Sequence, residues 1–221
     1  MKEPKCAQCP QKYCYQGITD ENKLPDFCPM IHFKSLIQSV SEKYKDQKIH
    51  DFFVKSAVTE REAYDEHAAR ELGKSIPVRP RIREISEFAK KIKAAKVGMA
   101  FCIGLEEEAK RASAILESRG LKVCSAVCSC GAVDKTELGV PAEQKIRSPE
   151  HFEASCNPIL QAEILNRLQT DFNIIVGLCI GHDMLFTKFC RAPVTTLVVK
   201  DRFTGHNPAI TLYSRYHRDL V

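Results

Sequence analysis

The stretch Val97-Gly98-Met99-Ala100-Phe101-Cys102-Ile103, closed by Gly104 and followed at once by Glu106-Glu107-Glu108, decides the fold. A short, continuous apolar run bounded by glycine has the length of a strand buried on both faces rather than of a helix. The three carboxylates then fall in the first turn of a helix, where the macrodipole favours negative charge. Ala109, Ala112, Ile115 and Leu116 supply the apolar stripe of that helix, and Gly120 ends it. Leu121–Val127 reads as a second strand. A long loop follows, then a helix over Ile159, Ile164, Leu165 and Leu168. Asn173–Leu178 is a third strand, a short helix runs from about His182 to Cys190, and Val194–Val199 is a fourth strand. Repeated strand–helix–strand order implies an α/β fold: a Rossmann-like parallel sheet with flanking helices. In such sheets ligands bind beyond the carboxyl ends of the strands.

Upstream of this region the chain is helical. Ile31, Leu36, Ile37 and Val40 mark one amphipathic helix ending near Lys45. Ile49, Phe52, Phe53, Ala57, Tyr64 and Ala68 continue the spacing in a second, which Gly73 stops; Ile82, Ile85, Phe88 and Ile92 give a third after Pro77 and Pro80. His32, His50 and His67 sit in or beside these helices, and a lone helical histidine is more often solvated or hydrogen-bonded than a ligand. The expected organisation is a four-cysteine metal knuckle over 1–30, a helical segment over 31–95 and an α/β domain over 96–221.

The 221 residues suit one large domain or a core domain with a small one. Apolar residues at 44% and charged residues at 28% exclude wholesale disorder. A net charge of +5 spread along the chain points to no nucleic-acid partner. No apolar run approaches the ~18–20 residues of a membrane span. Met1-Lys2-Glu3-Pro4-Lys5 leads straight into cysteine with no apolar stretch behind it, so a cytoplasmic chain without a signal peptide is expected. In that compartment 11 cysteines point to metal or catalysis rather than to disulfides.

The cysteines form two blocks. Cys6, Cys9, Cys14 and Cys28 lie in a stretch with Pro4, Pro10, Gly17 and Pro25 but no periodic apolar pattern. Such a segment builds no core of its own, and a metal would supply the missing folding energy. Four thiolates suit tetrahedral zinc or an iron–sulfur cluster, and the closing Cys28-Pro29 leans towards iron–sulfur.

The second block follows the strands. Cys128 and Cys130 come just past the second strand, Cys179 just past the third, and Cys156 precedes Asn157-Pro158, a good N-cap and first helical residue. Helix N-termini stabilise the thiolates that metal binding needs. Cys128, Cys156 and Cys179 are therefore the expected cofactor site. Three thiolates suit a [4Fe-4S] cluster with one open iron; the rivals are a closed Cys3His zinc site completed by His182, or Cys130 as fourth ligand. Cys102 and Cys124, which fall inside strand runs, and Cys190 read as buried thiols. Asp134-Lys135, Lys200-Asp201-Arg202 and His206-Asn207-Pro208 belong to the same edge; His182, Asp183 and Asp201 are the candidates for acid–base or ligand work.

The motifs C-S-C-G-A-V-D-K, C-N-P-I-L-Q-A-E-I-L-N, V-G-L-C-I-G-H-D-M-L-F and L-V-V-K-D-R…G-H-N-P, with the N-terminal cysteines, resemble a family of unknown function from anaerobic bacteria and archaea. The resemblance implies a metal-binding protein whose motifs contain Cys128, Cys156 and Cys179, with no required cysteine at Cys130. A looser similarity, in three-cysteine logic alone, is to thiouracil desulfidases, whose [4Fe-4S] cluster takes sulfide from a substrate at its free iron. The expected function is thus an iron–sulfur enzyme, a lyase or desulfidase, acting on a small-molecule substrate. The alternatives are a non-catalytic zinc module and a two-cluster electron-transfer protein with a redox partner.

Overall fold

The computed structural model describes residues 2–216, and the chain falls into two compact units divided between Val58 and Thr59. In the first unit, single 3-10 turns span Cys6–Gln8, Tyr13–Gln16 and Glu21–Lys23. Helices α1 (Pro29–His32) and α2 (Lys34–Lys43) follow, and α3 (Gln47–Glu62) runs across the division. The helix expected from Ile31 to Lys45 is interrupted at Phe33, whose φ of −125° and ψ of 31° leave the helical region. A second interruption separates α3 from α4 (Glu66–Leu72). There the Asp65 carboxylate accepts the Ala68 backbone N–H at 2.7 Å and starts a new helix. Apolar spacing continues through both breaks because it reports the buried face, not the continuity of the backbone.

The second unit is the α/β fold that the sequence implies. After α4 and α5 (Arg81–Lys91) come β1 (Lys96–Phe101), α6 (Glu106–Ser118), β2 (Lys122–Val127), α7 (Pro158–Arg167), β3 (Phe172–Val176), α8 (His182–Phe189), β4 (Val194–Val198) and α9 (Ala209–Tyr213). The four strands are all parallel in the order β2-β1-β3-β4. Helices α5 and α6 pack together, α7 and α8 likewise, and α6 and α7 both lie on β1 and β2. Met99, Val97, Ile174, Val176, Leu116, Leu165 and Phe186 are fully buried between these layers. Burial of each such side chain contributes about 1.5–3 kcal/mol, so the sheet and its helices carry the stability of this unit.

This strand order places a topological switch between β1 and β3: the chain leaves β1 for one neighbour and returns past it on the other side. Loops therefore diverge at the carboxyl ends of β1 and β3 and leave a crevice there. Glycines permit the close packing this needs. At Gly98 a Cβ would sit 2.0 Å from the Asn173 Oδ1. At Gly177, just past β3, φ is +66° and a Cβ would come within 2.6 Å of Leu105 Cδ1. No helix among the described residues is long and apolar enough to cross a membrane.

Candidate metal site at the carboxyl edge of the sheet

Strand ends and one helix start build the site. β1 stops at Phe101, two residues earlier than its apolar run implies, so Cys102 stands at the carboxyl end of a central strand with 4% of its surface exposed. Its Sγ accepts the Gly104 backbone N–H at 3.4 Å and lies against the Lys200 Nζ. Cys128, directly after β2 and 3% exposed, donates its backbone N–H to the Phe101 carbonyl at 2.8 Å. The Cys128 Sγ accepts the Ile103 N–H at 3.4 Å. Cys156 arrives on the loop before α7, whose start is fixed by the Asn157 side chain accepting the Leu160 N–H at 3.1 Å. Cys179 follows β3, and its Sγ accepts from the Arg202 guanidinium at 3.3 Å. Gly181, at φ +81°, turns the chain into α8 and brings His182 back over Cys179.

The sulfurs of Cys156 and Cys179 and a ring nitrogen of His182 all lie within 4.8 Å of one another. Cys128 joins this group through Cys156, and Cys102 stands next to Cys128, so that each thiol perturbs its neighbour. The Cys102 thiol is pushed up to about 12 by its bond to Cys128 and by burial, which outweigh the Lys200 ammonium. Cys128 is lowered by accepting from Cys102 but raised more by donating to Cys156 and by burial. Cys156 accepts from Cys128 and is held below the ordinary thiol value despite its burial. Of these three thiols Cys156 is the one held down, and it lies beside Cys179 and His182.

The His182 imidazole is held below its usual value, chiefly by burial and in part by the Lys200 charge, against the opposing Asp183. It is a neutral ring at neutral pH, the form that ligates metals. Its Nδ1 is buried and has no hydrogen-bond partner among the described residues. A buried polar atom without a partner calls for an explanation, and a soft metal ion held with two thiolates would supply one. The donor set thus fits a thiophilic metal centre.

The other expected residues lie as follows. Asp183 turns its carboxylate onto the Met184 N–H at 2.8 Å. Asp201 is committed to its own turn, accepting the Phe203 N–H at 2.9 Å and the Thr204 N–H at 3.2 Å. Cys130 is half-buried and raised by burial and by Cys128, but lies outside the group at ligand spacing. Cys124 sits within β2, and Cys190 accepts from the Asn173 side chain at 3.3 Å, burial pushing it up to about 11. Neither belongs to the site. Asp134 anchors the loop that delivers Cys156: its carboxylate accepts the Thr136 and Glu153 N–H groups at 2.9 and 2.8 Å and pairs with Lys145 at 2.9 Å. Lys135 pairs with Glu153 in the same clasp.

In the first unit Cys28 is buried, Cys9 half-buried, and Cys6 and Cys14 exposed. The structure brings no three of them to the spacing seen for Cys156, Cys179 and His182. Cys9 is nonetheless distinctive. Its slight burial is outweighed by the backbone N–H groups of Lys12, Tyr13 and Gln11, which lower its thiol value. Lys12 has a left-handed backbone, φ 48°, and its ammonium donates to the Cys6 and Cys9 carbonyls at 2.8 and 3.0 Å.

Two residues of the site escape sequence reasoning. Cys102 belongs to it because β1 ends at Phe101, a boundary that an unbroken apolar run does not reveal. Gln161, fully buried on α7, donates its amide to the Ala126 carbonyl at 2.7 Å and the Phe101 carbonyl at 3.3 Å, holding together the strand ends that present Cys128 and Cys102. Its signal was a polar residue at the spacing of Pro158, Ala162 and Leu165, the buried face of the helix.

Fold and site together define a Rossmann-like α/β protein, rich in cysteine, with a Cys–Cys–His group that fits metal binding. The chain belongs to the family described as Protein of unknown function (DUF1847), whose model matches residues 28–197. It is also similar to the uncharacterized protein MJ0455 of Methanocaldococcus jannaschii, with 41% identity over 213 residues, 96% of this chain and 95% of the relative. No solved structure matches. The family span contains Cys102, Cys128, Cys156, Cys179 and His182, and it stops short of Lys200 and Arg202.

Proposed function

We propose that this protein is a metal-dependent enzyme of small-molecule chemistry whose centre is an iron–sulfur cluster held by Cys128, Cys156 and Cys179. The observation that supports it is the meeting, at the switch point of a parallel sheet, of thiols delivered by the β2 exit, the α7 start and the β3 exit. A cluster with three protein ligands supplies one exchangeable iron that acts as a Lewis acid. The protein's own contribution is to exclude water with the buried thiols and to aim the Ile103 and Gly104 N–H groups at sulfur. His182 is the neutral base or ligand at the edge of the centre. Asp183 acts through the charge it sets beside His182, and Asp201 holds the turn that carries Arg202. Sulfur removal from a small molecule is one reaction such a centre would serve. Cys6, Cys9, Cys14 and Cys28 are proposed as a second, structural metal site, the amides around Cys9 stabilising its thiolate.

One observation favours a second reading. Four ligands about 2.3 Å from a tetrahedral zinc stand roughly 3.8 Å apart, and Cys156, Cys179 and His182 are already within 4.8 Å. With Cys128 they would form a closed Cys3His zinc site that holds the fold together. Anaerobic purification with metal and acid-labile sulfide analysis decides between the two. About four irons and four sulfides per sheet-edge site support the enzyme reading; stoichiometric zinc with no sulfide and no colour contradicts it.

A further inference from the structure

We infer that the ligand this centre receives from solution is a small anion, and that Lys200 and Arg202 are the residues that recognise it. The inference rests on the reading of the centre as a metal site with an open position. Lys200 and Arg202 leave the end of β4, where the register slips: Ile175 lies opposite Thr196 but Val176 opposite Val198. Such a bulge re-aims the chain beyond it. The Lys200 Nζ lies against Cys102 at the β1 exit, and the Arg202 guanidinium reaches Cys179 at the β3 exit, 3.3 Å from its sulfur. A cation therefore stands on each side of the crevice.

Neither cation has a carboxylate partner among the described residues. Cations as little exposed as Lys200 elsewhere among the described residues do: Lys145 holds Asp134 at 2.9 Å, Arg79 holds Glu62 at 2.9 Å and Lys91 holds Glu62 at 2.5 Å. Asp201 stands between Lys200 and Arg202 in the chain and is the natural counter-ion, but its carboxylate is turned onto the Phe203 and Thr204 N–H groups. Sulfur is a weak acceptor, so the contacts to Cys102 and Cys179 do not satisfy an ammonium and a guanidinium. Lys200 is half-buried, where a cation without a counter-ion is costly, whereas Arg202 is exposed and contributes its position beside Cys179. A small anion entering at the open metal position would meet both cations, with the planar guanidinium suited to a carboxylate or other oxyanion.

The test uses the metal-loaded protein and two probes of different charge, azide and imidazole, with binding read by titration calorimetry under anaerobic conditions. In the wild type both bind. In Lys200→Met and in Arg202→Met, azide binding weakens about tenfold per charge removed while imidazole stays within about twofold. Lys200→Arg, which keeps the charge, retains azide binding. Added salt weakens azide and leaves imidazole unchanged. Equal effects on both probes, or none on either, overturn the inference while leaving the open centre standing. Loss of metal from the two methionine variants, with unchanged melting, also overturns it, because the cations would then serve the thiolates alone. Binding of neither probe to the wild type removes the open position, and the proposed centre fails with it.

Discussion

Asn157 donates its backbone N–H to the Cys128 carbonyl at 2.7 Å. This one bond closes the long connection between β2 and α7 and sets Cys156 beside Cys128 before any metal is considered. Gln161, one turn further along α7, continues the same seam by binding the Ala126 and Phe101 carbonyls. The thiol group is thus assembled by backbone hydrogen bonds at strand ends, which are the rigid part of an α/β fold.

Gln161→Leu tests that seam. It keeps the volume of the side chain but removes the amide donor from the Ala126 and Phe101 carbonyls, of which Phe101 keeps the Cys128 N–H, a loss of about 0.5–1.5 kcal/mol. Chemical denaturation should show the lower midpoint with an unchanged slope, and the metal-loaded variant should release its metal to a chelator faster than wild type. Wild-type stability and wild-type release would show that α7 does not position the strand ends.

Gly177→Ala addresses the β3 exit. The added methyl meets Leu105 at a backbone φ of +66°, so both the contact and the left-handed conformation oppose it. A loss of about 1–3 kcal/mol is expected, and pairing the change with Leu105→Ala should recover the contact part but not the conformational part. A neutral effect of the single substitution would contradict this packing of β3 against the β1–α6 turn.

The clasp around Asp134 and Glu153 should make the loop acid-sensitive. Glu153 is held at about 2, first by Lys135 and then by the Arg147 N–H, and Asp134 is held well below the carboxylate range by Lys145 and by backbone and Thr136 donors. Depressed values in the folded protein mean stability that is fully present above the ordinary carboxylate range near pH 4 and lost as pH falls towards 2. Melting temperature should therefore drop through that window. In Asp134→Asn and Glu153→Gln it should already be lower at pH 7 and change less on acidification; a wild-type pH profile in both variants would count against the clasp.

Cys102→Ser separates ligands from neighbours. Its sulfur is engaged by Lys200, Gly104 and Cys128, and the proposed centre does not require it. Metal and sulfide content should stay at the wild-type level in this variant. Loss comparable to that of Cys179→Ser would make Cys102 a ligand and close the open position.

Much of this architecture is readable in the chain. Val97–Phe101 and Ile174–Val176 are apolar without interruption because both faces of these strands are covered, and that pattern survives any local variation in turns. The positions after the strands are readable for the same reason, which is how Cys128 and Cys179 come to one edge. Cys102 escapes because the last residue of a buried strand and the first residue beyond it can both be apolar. The relation of His182 to Cys156 is not legible either. It depends on the turn at Gly181 and on where the β2–α7 loop ends, and that loop is shaped by Asp134 and Glu153, charged residues whose partners lie far along the sequence. The two helix breaks at Phe33 and Asp65 escape periodicity, although Asp65 followed by Glu66 carries an N-cap signal that the continuing apolar spacing overrides.

The most direct test of the central claim is the metal and sulfide content of Cys156→Ala beside the wild type, both purified anaerobically. Cys156 is the thiol that stands next to Cys128 and faces Cys179 and His182. The expected result is loss of the sheet-edge metal with its sulfide, while any metal held by Cys6, Cys9, Cys14 and Cys28 remains and the fold still melts cooperatively. Wild-type metal and sulfide content in the folded variant would contradict a centre built on Cys128, Cys156 and Cys179.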